Sequence, residues 1–163
     1  MKTVTKLVLA CAAAALAMPA APLAAQQAAS PITFTADVKA EKTVTGPDGK
    51  ARIELVDPDT IVPGDRLVFG TDYTHAGDEP VSNFSITNPL PEAVRLAPDA
   101  DPALEVSVDG GKTWGRLSAL TVTDADAAAP RPAAHADVTH VRWVLPTIAP
   151  GEKGRLTYPA IIR

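Results

Sequence analysis

Segment after segment beyond Thr33 sets its apolar residues at every second position, and this period limits what the chain can build more than any other feature. In VPGDRLVFGTDYTHAG, Leu67, Phe69, Thr71 and Tyr73 share one face, while Val68, Gly70, Asp72 and Thr74 share the other. A repeat of two belongs to a strand with one face buried. VSNFSITNPLP repeats the signal through Phe84 and Ile86 until Pro89 and Pro91 stop it, and THVRWVL and GRLTYPAIIR alternate through Val141, Trp143, Leu145 and through Leu156, Tyr158, Ala160, Ile162. Nowhere past the N-terminal stretch is there an apolar stripe at helical spacing.

Turn chemistry separates these runs. TFTADVKAEKTV (Thr33 to Val44) and ARIELVD (Ala51 to Asp57) flank Pro47-Asp48-Gly49, which predicts a β-hairpin. AVRLA (Ala93 to Ala97) and LEVSV (Leu104 to Val108) are short strands on either side of PDADP, and Pro150-Gly151 turns the chain between the last two strands. TDADAAAPRPAAHAD, Thr123 to Asp137, has Pro130 and Pro132 inside it and no apolar face, so it is expected as an exposed, mobile loop. Short strands joined by Gly and Pro turns predict an all-β chain, an immunoglobulin-like β-sandwich of about seven to nine strands.

The first 25 residues stand apart. Lys2 and Lys6 precede an uncharged apolar run from Leu7 to Met18, then Pro19, Pro22 and small residues before Gln26. This is the arrangement of a secretory signal peptide, with cleavage expected after Ala25 and a single domain over residues 26–163. The run is too short for a stable bilayer span. VLAC, Val8 to Cys11, looks like a lipobox, but a lipidated Cys11 would leave only Leu7 to Ala10 as the apolar region, so a periplasmic or secreted product is expected. Export also removes the only cysteine. The remaining chain has neither disulfide nor thiol nucleophile and depends on its core. Without Lys2 and Lys6 the net charge falls from −4 to −6 with no basic block, which disfavours nucleic acid and anionic membrane surfaces as partners.

VPGDRLVFGTDYTHAGDEPVSNFSITNPLP followed by VRWVLPTIAPGEKGRLTYPAI resembles the bacterial surface-protein conserved repeat domain, an immunoglobulin-like domain of unknown function. The matching positions are Pro63-Gly64-Asp65, His75-Ala76-Gly77, Asn88-Pro89-Leu90-Pro91 and Pro150-Gly151-Glu152, with His75 and Asn88 standing where that family usually has Asn and Asp. The resemblance spans residues 62–162 as a single copy. It implies a fold and a cell-envelope setting and carries no chemistry.

One motif invites a catalytic reading. SVDGGKTWG, Ser107 to Gly115, carries Ser-x-Asp-x-Gly-x-Thr-Trp, the Asp-box found in the propeller blades of sialidases and related enzymes. A propeller repeats a blade of about forty to fifty residues, and this chain has one copy and room for about three. The motif is therefore expected as a structural hairpin: Ser107, Asp109, Gly111, Thr113 and Trp114, with Asp109 accepting backbone hydrogen bonds, Gly110 and Gly111 at positive φ, and Trp114 packed over the turn.

Other constellations are weaker. The acidic stretches Asp57 to Asp59, Asp99 to Pro102 and Asp124 to Asp126 lack the spacing of a calcium loop, although loops from one end of a sandwich can converge on a cation. No motif selects a carboxylate pair for glycoside hydrolysis. His75, His135 and His140 have no metal-ligand spacing and are expected as surface or strand-end residues, and no Gly-x-Ser-x-Gly turn occurs. No catalytic residue, cofactor or metal is therefore assigned. The expected role is a non-enzymatic structural or binding module acting on an unknown envelope or extracellular protein. The alternatives are a carbohydrate-binding module, which needs a planar exposed set of aromatics, most of which the core is expected to take, and an envelope hydrolase built from scattered loops.

Overall fold

The computed structural model describes residues 31–124 and 129–163. The expected signal peptide, Cys11 and Asp126 lie outside the described residues. Within them the chain is all-β: β1 (Ile32–Thr45), β2 (Ala51–Val56), β3 (Arg66–His75), β4 (Val81–Pro89), β5 (Val94–Leu96), β6 (Glu105–Ser107), β7 (Gly115–Arg116), β8 (Thr121–Val122), β9 (Arg131–Pro132), β10 (His140–Ile148) and β11 (Lys153–Ile162). Two single-turn 3-10 helices, η1 (Leu117–Ala119) and η2 (His135–Asp137), complete it.

Nine of these strands form the two layers of a β-sandwich. One sheet has the order β2-β1-β3-β11-β5 and the other β4-β10-β6-β7, while β8 and β9 pair only with each other. The alternating apolar positions turn inward as their period requires. Leu67, Tyr158 and Ala160 of the first sheet and Val106 and Val141 of the second meet in one buried cluster, and Ile32 and Tyr73 meet Ile86 and Ile148 in another. Trp143 packs against both clusters, and its ring lies 6.1 Å from that of Tyr158. A polar bond also ties the layers: Asn88 Nδ2 on β4 donates to Thr71 Oγ1 on β3 at 2.7 Å.

The turns do what their residues permit. Gly64 and Gly151 hold φ of 96° and 76°, open to few residues besides glycine. Asp65 closes the first turn by accepting the Val62 N–H at 2.9 Å, and Glu152 closes the second by accepting the Ala149 N–H at 2.8 Å. The second turn docks on the end of β3: His75 N–H donates to Glu152 O, Gly151 N–H donates to His75 O, and Tyr73 Oη donates to Glu152.

Two expectations need correction. Residues 129–137 of the supposed mobile loop carry structure, because β9 pairs with β8 and η2 follows it. Arg131 holds this segment by binding both Asp124 and Asp137, a cause that a search for apolar faces does not detect. His75 is a strand-end residue but not a surface one, being 1% exposed beneath the Gly151 turn. Its Nδ1 lies 2.9 Å from Ala149 O, which can only accept, so Nδ1 carries the proton. Tyr73, Tyr158, Trp143, Phe69 and Phe84 lie in or against the core, while Phe34 is 45% exposed and stacks on Phe84, and Trp114 lies half-buried on the outside of the second sheet.

Candidate functional site

The residues of the SVDGGKTWG motif come together in the connection between β6 and β7, whose register pairs Glu105 with Arg116 and Val106 with Gly115. Ser107 is fully buried and organises the inside of the turn. Its Oγ donates to Asp109 Oδ1 at 2.7 Å and accepts the Gly111 N–H at 2.9 Å. Asp109 Oδ1 also accepts the N–H groups of Lys112 and Thr113 at 3.0 and 2.9 Å. These bonds stabilise the ionised form, the Thr113 N–H most of all, and hold the Asp109 carboxyl well below the usual carboxylate range. Gly110 and Gly111 have φ of 77° and 87°, so the chain reverses without strain. Trp114 folds back and donates Nε1–H to Gly111 O at 2.9 Å.

Strand β10 supplies the other half of the site. The β6–β10 register sets His140 against Ser107 and Arg142 against Glu105, on the outer face of the sheet. Arg142 lays its guanidinium over the Trp114 ring, 4.4 Å from the centroid, and donates Nε–H to Glu105 at 2.9 Å. His140 meets the edge of the same indole at 6.3 Å. Thr139 Oγ1 accepts the Gly110 N–H and donates to Ser107 O, both at 3.1 Å. The sequence reading missed Arg142, Glu105 and Thr139. The one local signal was Trp114 itself, a large ring in a polar turn that some neighbour had to cover.

Beside this hairpin a cleft of about 320 Å³ opens between β10 and β11, lined in part by Asp101, Glu105, Arg142, Trp143 and Tyr158. Both of these carboxylates are engaged: Asp101 accepts the Ala103 N–H at 2.8 Å, and Glu105 is bound by Arg142. A second hollow of about 360 Å³ lies behind the 97–104 loop, with Leu96, Leu104, Val106 and Leu117 in its wall and His135 at its margin.

The remaining candidates are dispersed. Asp57 binds Lys39, Asp99 binds Arg66 and Asp124 binds Arg131, so each acidic stretch has its own cationic partner. His75, His135 and His140 sit on three separate elements, and among the described residues no three His, Asp or Glu side chains gather as metal ligands. None of the described helices is long and apolar enough to cross a membrane. Comparison of the chain with family models, with curated proteins and with solved structures found no match.

Proposed function

We propose that this chain is a non-enzymatic, exported binding or structural module of the bacterial cell envelope. The observation that carries this reading is the state of the carboxylates. In most enzymes that hydrolyse a glycosidic bond, two carboxyl groups face that bond, and sialidases use a tyrosine nucleophile in place of one of them, whereas both tyrosines here are buried in the sandwich. Here Asp109 is bound by the turn's amides, Glu105 by Arg142, and Asp101 by the amide of Ala103. The carbohydrate-binding alternative needs a flat aromatic platform. One face of Trp114 is covered by Arg142, Trp143 and Phe69 pack towards Tyr158 inside the sandwich, and the exposed Phe34 ring is stacked on Phe84. The resemblance to the surface-protein repeat domain is part of the proposal, supported by the closed turns at Gly64 and Gly151.

The test is an assay of the purified chain on sialosides and aryl glycosides, with Asp109→Asn beside the wild type. We expect no turnover from either and a lower melting temperature for the variant. Turnover by the wild type, lost in a variant of unchanged stability, would return the motif to catalysis. Capture of envelope or extracellular proteins on the immobilised chain then identifies the partner.

A further inference from the structure

The β1–β2 hairpin leaves the sandwich. β1 pairs with β3 only from Ile32 to Ala40, and from Ala40 to Thr45 it pairs with β2 on its other side. The result is a two-stranded ribbon whose outer strand ends the sheet order, with no described strand against its far edge. One face of that edge is apolar, with Ile53 and Leu55 67% and 54% exposed, the other carries Arg52 and Glu54, and Ala51 to Val56 run in unbroken register with no proline. Open edges of this kind are normally blunted by proline, a bulge or repelling charge.

The direction of the backbone groups follows from the turn. Gly46 N–H donates to Lys50 O, so Lys50 faces β1. Strand alternation then turns the N–H and C=O groups of Ala51, Ile53 and Leu55 towards the open edge. The charges follow the other parity. Arg52 and Glu54 share one face of β2, where Arg52 Nε donates to Glu54 Oε1 at 2.8 Å, a pair that a partner's charges would extend, and Glu54 stands opposite Lys42 of β1.

We propose that β2 pairs antiparallel with β2 of a second copy of this chain, about a two-fold axis through Ile53, to form a homodimer with a continuous four-stranded sheet across the ribbons. In this register Ile53 faces its own equivalent and Ala51 faces the partner's Leu55, and all of these have outward backbone groups available for the ladder. Arg52 faces the partner's Glu54, and Glu54 faces the partner's Arg52. Each row then alternates in sign, with Glu54 held between Lys42 and the partner's Arg52. Moving the axis by one residue would set Arg52 against Arg52 or Glu54 against Glu54, and like charges directly opposite destabilise a strand pair. The edge is thus complementary to itself in one register, as a two-fold interface requires. This inference does not depend on reading the chain as non-enzymatic.

Sedimentation equilibrium over a range of concentrations tests it, with circular dichroism and thermal melting to confirm that each variant is folded. The wild type is expected to dimerise reversibly, more weakly at high salt. Arg52→Glu and Glu54→Arg each set like charges across both rows and should each raise the dissociation constant by about tenfold or more. An equimolar mixture of the two variants should recover dimers, because opposite charges face each other again. Ile53→Pro, which removes an outward N–H and spares the ladder to β1, should leave monomers. A wild type that stays monomeric at its highest soluble concentration overturns the proposal. So does a dimer that survives either charge variant, or a mixture that fails to recover it.

Discussion

At the scale of single residues, Asp109 and Trp114 show how a short motif becomes a structural part. Asp109 draws three donors onto one oxygen, and removing it leaves the amides of Lys112 and Thr113 to find solvent. Asp109→Ala should therefore lower the melting temperature measurably at pH 7. Its folded-state pKa is depressed, so its contribution is full above about pH 4 and is lost as the pH falls below that, and the gap between wild type and variant should close in acid. Trp114→Ala removes the indole bond to Gly111, the platform under Arg142 and a half-buried ring. Denaturant unfolding should show a loss of about 2 kcal/mol, less than for a fully buried tryptophan because one side of the ring is wet.

At the scale of elements, β11 depends on a residue with no side chain. Gly154 stands opposite Tyr73 on β3, and a Cβ there would lie 2.5 Å from the Tyr73 ring. The tyrosine lies flat across the glycine, which lets its hydroxyl reach Glu152 and pin the Gly151 turn. Gly154→Ala should push the ring off, break that bond and cost about 1–3 kcal/mol by the rule for overpacked sites. Gly154→Ala in a Tyr73→Ala background should cost much less, and chemical unfolding of the single and double variants measures the coupling. Gly70 is constrained in the same way: the guanidinium of Arg155 lies over it, held by Asp37 and Asp72.

At the scale of the whole molecule, the titrating groups set a stability window. Asp137, Asp124 and Asp99 are held low by hydrogen bonds from Arg131 and Arg66, Asp137 at about 2, and Glu152 is held low by the Ala149 N–H. Depressed carboxylates stabilise the folded state above their unfolded values, so the melting temperature should fall progressively from about pH 4 towards pH 2. Asp99 and Asp124 are exposed and Asp137 and Glu152 partly buried, so salt should flatten the slope chiefly through the first two. The alkaline arm belongs to the chain's two tyrosines. Burial pushes Tyr158 up to about 12, and burial with the Glu152 bond raises Tyr73. Raised groups stabilise fully below their unfolded value, so stability should be lost between about pH 10 and pH 12. Phenolate absorbance should follow unfolding rather than precede it. A normal titration at pH 10 on a folded chain would contradict the buried position of Tyr158.

Whatever is decided within a few residues could be read directly from the chain. The two-residue period of Leu67 to Tyr73 and of Val141 to Leu145 specified strands and their inward faces. Gly110, Gly111 and Gly151 marked turns because few other residues hold positive φ. The Asp109 turn was legible because its donors lie within four residues of the carboxylate. What crosses between distant segments came from packing. It brought Arg142 over Trp114, sank His75 beneath Glu152, and ordered residues 129–137 around Arg131. It also divided β1 between two partners and left the edge of β2 open. Period and turn chemistry are local properties of the chain, whereas pairing and register follow from which faces bury most surface when all the strands pack at once, and that sum is not written in any one segment.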